Sequence, residues 1–432
     1  MGAASTNRFT AVTGSTVNAG GSLGLNLLGV VGINLGFAPT GVIDGGAGGN
    51  NTLLLQNSAT GTGSGTAGTG TIASSTYIDF QHLTVNSGTW TLTGSLGLTD
   101  STLNGGVAVF DNSGAFGTGT VTAGGGTVEA STGGLNVANN IALQTGGLTV
   151  QGTNALTLSG GISGGGFLIK NGSGTLTATG ANSYSGGTIL NAGSMVVGNG
   201  LALGTGLLSV GGAASLDSTA PVTLGNNISI TGANALTLAG SNALGLSGTI
   251  TGTGALVKNG AATTTLSAAE TYSGGTTINA GTLALGAGGS LLATGAVNVA
   301  GAGADLDISA SGNQTIGSLA GAAGSAVSLG ANTLTFGDAT SQTFAGGIGG
   351  TGGIVKQGTG TETLTGANTF TGGTTINAGT LALGAGGRAC RPPARSTSRA
   401  PVQVSISPQV AIRRLVHWPV WRAARFRWVR TR

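Results

Sequence analysis

Apolar residues recur at every second position in short runs along most of this chain, as in GTLTATG (174–180) and GTLALG (281–286). A period of two places alternate side chains on one face, so each run predicts a strand with one buried side. Leu381 and Leu383 then share a face, with Thr380 and Ala382 on the other, and the pairs Leu283–Leu285 and Met195–Val197 repeat the arrangement. SGG, TGG and NAG lie between the runs and can turn the chain within two or three residues. No run has the length or continuity of a transmembrane helix.

The runs belong to a larger repeat. KNGSGTLTATGANSYSGGTILNAGSMVVG (170–198), KNGAATTTLSAAETYSGGTTINAGTLALG (258–286) and KQGTGTETLTGANTFTGGTTINAGTLALG (356–384) align without a gap. Each opens on a lysine (Lys170, Lys258, Lys356) and carries an aromatic (Tyr184, Tyr272, Phe370) and an asparagine (Asn191, Asn279, Asn377) at fixed places. The intervals of 88 and 98 residues leave a variable spacer, and the spacers are related too: NNIALQTGGLTVQGTNALTLSGGISG (139–164) echoes NNISITGANALTLAGSNALGLSGTITG (226–252). Short strands could close into a sandwich or barrel. Recurrence of one motif favours a β-solenoid, in which like rungs stack over a continuous core. Residues 1–387 are therefore expected to form one solenoid region, without a break in composition.

The three signatures resemble the autotransporter-associated β-strand repeat of type V secretion passenger domains, on the whole run from the lysine to the closing glycine. The likeness implies a right-handed parallel β-helix outside a Gram-negative cell, released or held at the outer membrane, with a barrel translocator in the intact parent protein. The sequence departs from a complete member of that family. The apolar stretch SLGLNLLGVVGINLGFA (22–38) is interrupted by Gly and Asn and is expected to be strand rather than signal peptide. The C-terminal end lacks the amphipathic strands of a barrel.

Composition changes the picture only at that end. Charged residues make up 6% of the chain and there are 89 glycines, against about 25% and about 7% in typical soluble domains. Glycine has no period of three, which excludes collagen. Residues 1–387 carry four basic residues and all eleven acids, a net −7, whereas 388–432 holds eleven arginines and no acid. The tail also holds the lone cysteine, Cys390, and three of the four tryptophans. The overall pI near 9.7 thus belongs to the tail. Read one base earlier, codons permitted from Ala411 onward spell NQTIGSLAGVA, the text from Asn313 with one substitution at the repeat offset of 98. Residues 388–432 are accordingly expected to be a frameshifted repeat spacer, non-native and disordered. Cys390 and His417 are incidental on this reading, and no evolved nucleic-acid binding is expected despite the Arg/Trp content.

Candidate chemistry is sparse. His82 with Asp79 lacks a nucleophile elbow and is expected to be a strand or turn histidine. Asp305 and Asp307, two apart in ADLDIS, are the best carboxylate pair and are expected to be solvated. GGAGGNNTL (45–53) has Asn50 where a calcium-binding repeat needs a carboxylate, and it occurs once. The GxGxxG strings carry no dinucleotide signal in so glycine-rich a chain. Thr-x-Thr runs fit an ice-binding face only if evenly spaced, which they are not. The asparagines Asn191, Asn279 and Asn377 are expected in left-handed turns or an internal amide ladder, and the three lysines at solvated rung ends. No catalytic, cofactor or metal residue is assigned. The expected function is a non-enzymatic stalk or adhesive fragment whose partners are host or cell-surface glycans or proteins. The alternatives are a glycan-binding or glycan-active protein with its site in residues 1–130, and a non-functional truncated gene product.

Overall fold

A computed structural model describes residues 8–12, 42–45, 50–57, 66, 68–384 and 403–406. The described residues are all β, with no helix and so none long and apolar enough to cross a membrane. The chain divides into two units, 1–215 and 216–432.

In the first unit every strand pairing among the described residues is parallel. Thr52–Gln56 stacks on His82–Val85, that on Asp100–Leu103, and that on the long strand Val121–Ala130. The ladder continues through Ile141–Gln151, Leu168–Lys170, Thr188–Leu190 and Leu208–Val210. A second ladder runs Leu135–Val137, Leu156–Leu158, Thr175–Ala178, Gly193–Val197. Leu156 faces Leu176 and Leu176 faces Met195, so each rung begins about twenty residues after the last. Such offsets in parallel register are the geometry of a coil, because a strand can pair in parallel with its successor only after a full turn.

The second unit repeats the plan. Val222–Leu224, Leu244–Leu246, Thr264–Leu266, Thr282–Leu285, Asp305–Asp307, Ala326–Ser328 and Gly347–Gly349 form one ladder. Ala235–Leu238, Ala255–Lys258, Thr276–Ile278, Val297–Val299 and Leu319–Gly321 form another. Short strands alternate buried and half-buried, as in Leu244–Leu246 and Thr282–Leu285. The inward positions make columns such as Leu283–Leu306–Val327–Ile348, all four at most 1% exposed. Burial of each such side chain contributes roughly 1.5–3 kcal/mol. Repetition of that increment, rung after rung, replaces the single globular core that so glycine-rich a sequence could not build.

Of the tail expected to be disordered, the described residues are Gln403–Ile406, a strand parallel to Thr380–Leu383. Thr380 faces Gln403 as Thr282 faces Asp305, the same 23-residue step. The rest of 388–432, with Cys390 and His417, and the apolar stretch 22–38 lie outside the described residues.

Candidate functional site

The signature lysines are not at solvated rung ends. Lys170, Lys258 and Lys356 are at most 2% exposed, because each stands two residues after an inward aliphatic (Leu168, Leu256, Ile354) and shares its face. They take places in apolar columns: Val150–Lys170–Leu190 in the first unit, Leu238–Lys258–Ile278 and Phe336–Lys356–Ile376 in the second. Backbone carbonyls replace water around the ammonium. Lys170 Nζ donates to the carbonyls of Asn171 (2.8 Å), Gly172 (2.7 Å) and Ala192 (3.3 Å). Lys356 Nζ donates to those of Gln357 (2.6 Å), Gly358 (3.1 Å) and Ala378 (3.5 Å), and Lys258 Nζ to those of Gly260 and Ala280. Burial lowers the Lys170 ammonium to about 8 and lowers the other two as well. Each lysine clamps the turn that follows it to the NAG turn 22 residues on.

The aromatic position is buried in all three copies, and its two tyrosines are keyed to a threonine four residues later. Tyr184 Oη meets Thr188 Oγ1 at 2.5 Å, and Tyr272 Oη meets Thr276 Oγ1 at 2.6 Å. The position twelve after the lysine caps the preceding rung: Asn182 Oδ1 accepts from Ile162 N (2.8 Å), and Asn368 Oδ1 from Ile348 N (3.0 Å). Glu270 fills that position in the second copy and accepts from Ile250 N, with its other oxygen buried and unpartnered. Desolvation pushes the Glu270 carboxyl up to about 7. Glu362, inward where the other copies have Leu176 and Thr264, is pushed up to about 8 by burial, against the pull of Lys356.

Two of the three signature asparagines pair with an amide one rung back, outside the coil. Asn191 Nδ2 donates to Asn171 Oδ1 (2.8 Å) and Asn279 Nδ2 to Asn259 Oδ1 (2.7 Å), in exposed surroundings. None is left-handed; among described non-glycine residues only Asp79 has positive φ.

His82 lies on the first unit with Asp100, not Asp79, as its carboxylate partner: Nδ1 to Oδ1 is 2.9 Å. Its Nε2 meets Asn50 Oδ1. The register places Thr52 and Asp100 on either side of it, while Ser101 turns inward to the Phe116 carbonyl. The dyad thus has an orienting acid without a serine aligned to it. Asp305 and Asp307 flank inward Leu306; Asp305 accepts from Ser328 Oγ (2.9 Å) and Asp307 from Ser309 N (2.8 Å). Burial raises the Asp305 carboxyl, so it is not simply solvated. Thr69 and Thr71 stack on Thr89 and Thr91, but the next rung presents Val107 and Val109. Among the described residues no cluster of three or more His, Cys, Asp or Glu is placed to hold a metal.

Comparison with known proteins falls on the same segments. Residues 168–197, 256–285 and 354–383 match the passenger-associated-transport-repeat family. The coil thus carries repeats of the kind associated with autotransporter passengers. Over 126 residues the chain is 40% identical to the Adhesin BmaC autotransporter of Brucella suis biovar 1 (strain 1330), a match covering 27% of this chain and 4% of that relative. The chain therefore spans a small fraction of the curated relative's length. No solved structure matches it.

Proposed function

We propose that this passenger is a non-enzymatic adhesive stalk displayed at or shed from a Gram-negative surface, contacting glycans or proteins of a host or neighbouring cell. One observation carries the reading: the repeated polar groups bind the coil itself. The lysines hold turn carbonyls, the position-twelve side chains cap the preceding rung, and the tyrosines meet threonines. Outward positions of the signature strands carry uncharged side chains, such as Ile169, Thr177, Thr265 and Thr363, a composition suited to contact rather than turnover. The Brucella relative is an adhesin, which supports the same class. Display of the full chain on a Gram-negative host through a fused barrel should raise attachment to epithelial cells, or between the displaying cells, above a barrel-only control. Equal attachment would remove the adhesive reading.

We further infer that residues 1–387 are the native passenger region and that 388–432 is repeat spacer translated in the wrong frame. The recovered text at offset 98 supports this. Nucleotide sequence across codons 384–390 should contain an insertion or deletion whose correction restores spacer text. A corrected frame without such text would contradict it.

A further inference from the structure

The outward face of three successive rungs in the first unit departs from its counterparts in the second. Ile169 faces Ile189, and Ile189 faces Ser209, on the side opposite the buried columns. Phe167 and Leu207 stand two residues before Ile169 and Ser209 on that same face, 41% and 46% exposed. Gly187 lies between them in the stack: its carbonyl accepts from Leu168 N (3.1 Å), and the Leu207 carbonyl accepts from Thr188 N (2.9 Å). Phe167 and Leu207 thus flank a glycine-floored notch, two rung spacings or roughly 9–10 Å apart along the stack.

None of this is needed by the coil. At the same places the second signature has Ala255, Gly275 and Ala296 around Val257 and Thr277, held by the same two backbone bonds. The third has Gly353 and Gly373 beside Val355 and Thr375. The same fold is built there with no large apolar side chain exposed, so Phe167 and Leu207 answer to something outside it.

The surroundings narrow the occupant. Between residues 130 and 216 the only charged residue is Lys170, which is buried. A face without charge complements an uncharged partner. The Asn171–Asn191 amide pair lies two residues further along the same face. That bond leaves an N–H of Asn171 and a lone pair of Asn191 for a ligand. Four apolar side chains offer far less than the roughly 1,200 Å² a stable protein interface buries. A sugar ring asks for less: an apolar C–H face to lie on an aromatic or aliphatic surface, and donors and acceptors for its hydroxyl rim.

We propose that the strip of Phe167, Ile169, Ile189 and Leu207, with the Asn171–Asn191 amides, binds an uncharged glycan. The proposal rests on the adhesive reading and names its ligand class, on residues outside the N-terminal segment 1–130.

The test is binding of the full chain to a printed array of defined neutral and anionic oligosaccharides, beside the double variant Phe167→Ala/Leu207→Ala. The second signature carries alanine at both places, so the variant should keep its circular dichroism and melting temperature. At least one neutral glycan should be bound, and the variant should lose that signal tenfold or more. Absence of neutral-glycan binding, equal binding by the variant, or binding confined to anionic glycans, as the arginine-rich tail alone would give, each overturns it. So does sedimentation in which the parent self-associates and the variant does not, since the strip would then meet a second copy. If displayed cells adhere undiminished with the double variant, the glycan strip fails while the adhesive reading stands.

Discussion

A lysine ammonium is tolerated inside an apolar column only because backbone carbonyls supply what water would. Replacing Lys258 by methionine keeps the stem and removes the donors, leaving the carbonyls of Gly260 and Ala280 without that partner. We expect a loss of about 2–3 kcal/mol in urea unfolding. The two core acids give the chain a pH dependence of opposite sense to ordinary acid denaturation. Glu270 and Glu362 sit in the fold with carboxyls raised to about 7 and about 8, above their unfolded value of 4.5. The folded chain therefore holds protons that the unfolded chain releases, and stability present below pH 4.5 is lost as pH rises through 7 and 8. Tyr272 faces Glu270, and Lys356 and Asp338 face Glu362. Melting temperatures should be higher at pH 5 than at pH 8. Glu362→Leu, the residue of the first signature, should add about 2–3 kcal/mol at pH 8 and flatten the profile. An unchanged profile in that variant would remove Glu362 from the explanation.

At the scale of a turn, the NAG glycine is fixed by its neighbours as well as its backbone. Gly193 has φ of 74°, and a Cβ there would stand 2.6 Å from the carbonyls of Gly172 and Gly174 and 2.8 Å from Lys170 Nζ. Gly193→Ala should cost about 2–4 kcal/mol, strain and collision together. Gly303, at φ of 79° with open space beside it, supplies the comparison: Gly303→Ala should cost only about 1 kcal/mol. Thermal or urea denaturation of the pair separates crowding from conformation. The strands themselves were legible in sequence, because period-two alternation directly encodes a half-buried strand, and Leu283–Leu285 and Met195–Val197 are buried as the pattern requires. The lysines were legible too, had the alternation been followed through them: Lys170 stands two after Leu168, the same face. Periodicity, not chemical type, decides the face. Asn191 and Asn279 could be placed in an amide ladder from their recurrence, but a repeat does not say which side of the strand is outside.

For the molecule as a whole, copy number was the strongest signal of architecture, since a motif recurring at one register has stacking as its simplest physical use. What the sequence concealed was the partner of His82. Asp100 is eighteen residues away in sequence and adjacent only because one rung returns above another. Phe167 and Leu207 were hidden for the same reason, being forty residues apart and two rungs distant in space. The signature spends its polar groups on holding its own turns, which makes the repeat a scaffold. The chain's only lysines are the three signature residues, so amine acylation at pH 8, read by mass spectrometry of the native and the urea-unfolded chain, tests it directly. The native chain should be acylated at its α-amino group alone, with Lys170, Lys258 and Lys356 reacting only after unfolding. Prompt acylation of all three in the folded chain would contradict the account.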